Sequence, residues 1–159
     1  MCMYLQKEML KAIEKAEKKN IAVTDLTICE GVSDYYDAGI SDGHFIKFIN
    51  KKHFYIDLVN YPFRNGVPFN TKLFKDGAAN SDRLALTNET RLICDGKKTL
   101  RALETEDGER VWYDVKFEKF FTDYFSFDKY TFRGAKKQPI YIFNNYDFCG
   151  VIMPVNVND

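Results

Sequence analysis

The sequence predicts an α+β fold: a single domain of two helix-plus-three-strand halves with antiparallel sheets, spanning 1–61 and 82–159 around a crossing loop at 62–81. Three observations predict it. Helical periodicity opens the chain and returns near Phe117, alternating apolar stretches follow each helix, and Asp-Gly, Asn-Gly and Asn-Asn dipeptides separate the stretches. At 159 residues the chain has the size of one domain. Folding at that size removes roughly two thirds of the unfolded surface from water, so the core needs no staples.

The first helix covers residues 1–20. Leu5, Met9, Ala12, Ile13 and Ala16 recur at helical spacing and form one apolar face, with Lys, Glu, Gln and Ala as strong helix-forming fillers. Lys18 and Lys19 suit the negative end of the helix dipole, and Asn20 can end the helix. Strand patterns then follow in IAVTDLTIC, in GISDGHFIKFIN across a Ser-Asp-Gly turn, and in KKHFYIDLV. Pro62 and Pro68 make YPFRNGVPFN a loop. Strands resume from Asp82, broken at Asn88, Asp95-Gly96 and Asp107-Gly108. Val115, Phe117, Phe120, Phe121 and Tyr124 then suit a short helix, and FDKYTFRG, QPIYIFNN and FCGVIMPV close the chain as three strands. Both helices are expected on one side of the sheets.

Composition excludes several classes of function. The chain carries 23 basic and 23 acidic side chains, so it is not held to nucleic acid over most of its surface. Charges recur at intervals of three residues or fewer from Lys7 to Lys19, so no signal-peptide core is expected, and no stretch reaches the ~18–20 apolar residues of a membrane span. The four cysteines, Cys2, Cys29, Cys94 and Cys149, are scattered without a CxxC and read as free thiols of a cytoplasmic protein.

Motifs for chemistry are missing. His44 and His53 have no ligand spacing, so no metal is expected, and neither a GxSxG nor a phosphate loop occurs. Carboxylates cluster at Asp34 and Asp37 and at Glu104, Glu106 and Asp107, but nothing beside them completes an acid–base mechanism. The expectation is therefore a binding module, not an enzyme, with no cofactor. Its candidate surface is the first helix, where Lys7, Lys11, Lys15 and Lys18 follow at i+4, i+4 and i+3 and line up on one face. A stripe of that kind can track phosphates, whose contacts need charge and reach more than fixed geometry.

The segment 117–155 resembles the end of a DNA sliding clamp domain of the bacterial DNA polymerase III beta subunit type. It has a helix at 117–125, a strand at Tyr130-Thr131-Phe132, a strand opening at Gln138-Pro139-Ile140, and a last strand Val151-Ile152-Met153-Pro154-Val155. ISDGHFI at 40–46 is similar to a stretch inside clamp domains, although Phe45 stands where that family has a basic residue. The resemblance implies a sliding-clamp-like fold and a role in DNA replication on duplex DNA or replication proteins. The DNA-facing residues would be Lys7, Lys11, Lys15 and Lys18, and Val151, Ile152, Met153 and Pro154 would form a partner pocket. A ring built from a one-domain chain would require a homo-oligomer, and the small neutral chain suits a phage or mobile-element gene. The alternative is a small inhibitor or adaptor of the phage counter-defence type that binds a host protein through Tyr35-Tyr36 and Tyr124-Phe125, since aromatic residues anchor interfaces.

Overall fold

The structure is a computed structural model and describes residues 3–66, 70–122 and 126–157. Its first helix, α1 (Met3–Lys18), buries Leu5, Met9 and Ala16 and leaves the lysines of the opposite side exposed. Strands β1 (Thr27–Glu30), β2 (Ala38–Ser41) and β3 (Phe45–Ile49) follow, then a 3-10 helix η1 (Lys51–His53) and a second helix α2 (Thr71–Asn80). The remainder is β4 (Arg83–Ile93), β5 (Lys98–Glu104), β6 (Arg110–Asp114), 3-10 helices η2 (Val115–Phe121) and η3 (Phe127–Lys129), and β7 (Thr131–Arg133), β8 (Ile140–Asn144) and β9 (Asp147–Ile152).

All nine strands belong to one antiparallel sheet in the order β1-β2-β3-β9-β8-β7-β4-β5-β6. The fold is thus α+β with a single sheet. The pairing of β3 with β9, Phe45 opposite Ile152, joins the early strands to the last ones. At the far end the sheet curls, because Val155, three residues beyond β9, donates its N–H to Trp112 O of β6 at 2.8 Å. The other end is covered as well: the Pro62 carbonyl accepts from Thr24 N, Arg64 N donates to Leu26 O, and Thr71 Oγ1 donates to Glu30 O. Covered ends keep sheet edges from pairing with other chains.

Each face of the sheet has its own core, as the period of two demands. On β8, Ile140 and Ile142 point to one side, where α1, η2 and η3 contribute Leu5, Met9, Phe117, Phe120, Phe121 and Phe127. Tyr141 points to the other side, where Ala78 and Phe74 of α2 pack with Phe48 and Val151. Gly150 is what lets η2 sit so low. A Cβ there would fall inside contact distance of the Phe121 ring and 2.9 Å from the Ile46 carbonyl.

The structure corrects four readings of the sequence. Residues 51–59 form no strand, although their alternation is real: Phe54, Ile56 and Leu58 pack on the core, and Tyr55 and Val59 are exposed. Here the backbone bonds to side chains. Asn50 accepts from Lys52 N, Asp57 from Val59 N, and Gln6 Oε1 from Tyr55 N at 2.7 Å. The first strand is shorter than expected, since Ile21 to Leu26 are irregular. The crossing segment 62–81 contains α2, started by the Asn70 side chain accepting from Leu73 N at 3.3 Å and held by Phe74 and Ala78 on the sheet. The second helix is a 3-10 helix, opened by Asp114 Oδ1 accepting from Lys116 N at 3.0 Å. Tyr124, Phe125 and Pro68 lie outside the described residues.

Candidate binding surface

The helix α1 lies alongside η2 on one face of the sheet. Glu8 joins them: its Oε1 is 3.0 Å from Lys119 Nζ of η2 and 3.6 Å from Lys11 Nζ. Partial burial works against the Glu8 carboxylate, but the hydrogen bond from Lys119 and the charges of Lys119 and Lys11 outweigh it and hold its pKa below the ordinary value. The outer face of this layer carries Lys7, Lys11, Lys15 and Lys18, all exposed. Of the four, only Lys11 is in an ion pair among the described residues. The helical period brings them together and sets them opposite Leu5, Met9 and Ala16. Lys116 of η2, 56 % exposed, extends the basic surface.

A groove of about 470 Å³ runs along the flank of this helix. Lys11, Lys15 and Lys19 form its α1 wall, Ile21 and Val23 the opposite wall, and Phe45 and Phe120 part of its floor. The two floor rings stack with centroids 4.4 Å apart. Sequence reasoning missed Lys19, Ile21 and Val23. The last two are placed in the groove because the chain leaves α1 through Asn20 in a left-handed conformation (φ 55°), where Ile21 N bonds Ala16 O at 2.9 Å.

The residues of the expected C-terminal pocket do not come together. Val151 and Ile152 are each 1 % exposed and belong to the cores on opposite faces of the sheet. Neither offers its side chain to a partner. Met153 and Pro154 are half-buried, and Pro154 lines a separate small cavity beside Trp112. This is a correction with a simple cause: in a central strand consecutive residues point to opposite sides.

One carboxylate of each acidic cluster has a structural task. Asp37 accepts from Lys51 N at 2.9 Å, and Glu104 pairs with Arg110 at 3.2 Å. His44 and His53 are exposed, and no group of three or more potential metal ligands converges among the described residues. Cys29, Cys94 and Cys149 are free thiols. No helix of the described residues is long and apolar enough to cross a membrane. Tyr35 is 56 % exposed, packed edge-on against Tyr36 with centroids 4.9 Å apart, and its carbonyl accepts from Asn50 Nδ2 at 2.7 Å. No family model, curated protein or solved structure matches the chain.

Proposed function

We propose that this protein is a non-catalytic, cytoplasmic binding module that engages duplex DNA, in the service of replication, through the outer face of α1. The observation that carries the reading is the exposed row Lys7, Lys11, Lys15 and Lys18 on a helix packed against η2 and the sheet. The helical spacing of four cations on long side chains fits a phosphate backbone, and it needs no base contacts. The likeness of residues 117–155 to a sliding clamp domain supports the same partner, and a ring would follow from homo-oligomerisation.

The test is fluorescence anisotropy with a labelled duplex, titrated at several salt concentrations. Four phosphate contacts predict a log–log salt slope of about −3 to −4, at roughly 0.9 per phosphate. Replacing all four lysines with Ala should bring the slope close to zero. A strict monomer with no affinity for the duplex at low salt would sink the proposal.

A second reading, an adaptor or inhibitor that binds a host protein, is favoured by the exposed Tyr35 cluster. Under it the wild-type protein retains a host protein without DNA, Tyr35→Ala loses that protein, and the four-lysine variant keeps it.

A further inference from the structure

On the face of the sheet opposite α1, a cavity of about 460 Å³ opens where β4, β7 and the β8–β9 hairpin meet. Arg83, Thr131, Arg133, Phe143 and Tyr146 are among the residues that line it, and none of the lining residues is acidic. The strand register decides what faces it. Arg83 of β4 stands directly opposite Arg133 of β7, and their neighbours Leu84 and Phe132 belong to the core shared with α1. Successive strand residues alternate sides, so both arginines lie on the other face, as do Thr131 and its cross-strand partner Phe143.

Two like charges in this arrangement work against the sheet. Side chains directly opposite in an antiparallel pair have Cβ atoms about 4.5–5.5 Å apart, and like charges there are destabilising. A carboxylate between them would relieve the repulsion, yet neither Arg83 nor Arg133 is in an ion pair among the described residues. The contact that Arg133 does make leaves its donors available. Its guanidinium lies 5.9 Å from the centroid of the Phe143 ring, a cation–π contact, and Phe143 is braced by Phe148 with centroids 5.5 Å apart. Tyr146 adds a second ring, 98 % exposed, beside Asn145 in a left-handed conformation (φ 58°).

We propose that this cavity binds a nucleotide unit, with its phosphate held between Arg83 and Arg133 and its base laid against Phe143 and Tyr146. Paired guanidiniums match the oxygens of one phosphate, and aromatic faces accept any base by stacking. The volume falls within the ~300–1,000 Å³ of small-molecule sites. A free nucleotide and a single strand share this chemistry, whereas the bases of a duplex are held inside its stack and cannot reach the rings. The site lies on the opposite face of the sheet from α1 and is independent of the reading proposed for that helix.

A short labelled oligothymidylate is titrated by fluorescence anisotropy, and thymidine monophosphate and phenyl phosphate are titrated by calorimetry. Saturable binding is expected. A strand bound at least tenfold tighter than the mononucleotide assigns the site to single-stranded nucleic acid, and equal or tighter binding of the mononucleotide assigns it to a free nucleotide. Replacing Arg83 and Arg133 together with Gln should weaken binding at least tenfold, and Tyr146→Ala should weaken it several-fold. The four-lysine variant of α1 should still bind. Arg83→Gln alone removes one of two opposed like charges, so its urea midpoint should not fall below that of the wild type. The proposal is overturned by no saturable binding of strand or mononucleotide, by phenyl phosphate binding as tightly as thymidine monophosphate, or by unaltered affinity in the double-arginine or Tyr146 variant. It is equally overturned by loss of binding in the four-lysine variant, or by a lower midpoint in Arg83→Gln, which would reveal a partner for that arginine inside the fold.

Discussion

At the scale of single residues, the cysteines show how position decides chemistry. Burial is the main influence on the Cys149 thiol and pushes its pKa up to about 12, while Sγ sits 3.4 Å from the Ile142 carbonyl. Burial likewise pushes Cys29 up to about 11. Since the thiolate is the nucleophile, both should stay inert at pH 8. Cys94 is exposed in the turn between β4 and β5. Brief treatment of the native protein with iodoacetamide followed by peptide mass mapping should find Cys94 alkylated and Cys29 and Cys149 untouched. Labelling of Cys149 at the rate of Cys94 would contradict its burial. The burial of Cys29 and Cys149 follows the apolar strand patterns that hold them. That the Trp112 indole N–H has no acceptor among the described residues was not legible in the sequence, because satisfaction of a donor depends on neighbours from distant segments.

At the scale of elements, caps and docking residues decide where helices stand. η2 begins at Asp114, itself 5 % exposed, whose carboxylate takes Lys116 N. Asp114→Ala removes that acceptor and should cost about 1–2 kcal/mol, read as a lower urea midpoint at unchanged slope. Asp114→Asn keeps an oxygen for the cap and should cost less. The helix α2 shows how such signals escape a sequence reading. Asn70 is a normal N-cap residue, yet two prolines nearby argued for a loop, and the Phe74 and Ala78 face is too short to stand out as periodic. The opposite error occurred at 51–59. The alternation there reflects one side packing on the core, but strand identity requires a paired neighbour, and side chains took the backbone bonds instead.

At the scale of the whole molecule, the C-terminal segment closes the sheet. Val155 bonds Trp112 O, and Val155 and Val157 cover Leu100, Ala102 and Trp112. Val155→Asp should therefore uncover this corner, shift Trp112 emission to longer wavelength, and lower stability by about 1 kcal/mol or more, since Val155 is partly buried and full burial of an aliphatic side chain is worth ~1.5–3 kcal/mol. Emission and midpoint unchanged from wild type would mean that the segment does not hold the corner. The same architecture explains the fate of the expected pocket. Val151 and Ile152 sit in β9, flanked in the sheet by β3 and β8, and their side chains are buried in the cores on its two faces.

The sequence by itself determined the α+β class, the amphipathic first helix with its row of four lysines, and most of the strands after residue 82. These follow from local periodicity, which depends on the residues' own spacing. Only the tertiary structure decided that all nine strands form one sheet, that β3 meets β9, and that the last residues return to β6. Those pairings join segments about a hundred residues apart or close a corner from both sides, and they are chosen by which apolar faces can be buried together. The same choice placed Lys19, Ile21 and Val23 around a groove and left the Trp112 indole without an acceptor among the described residues.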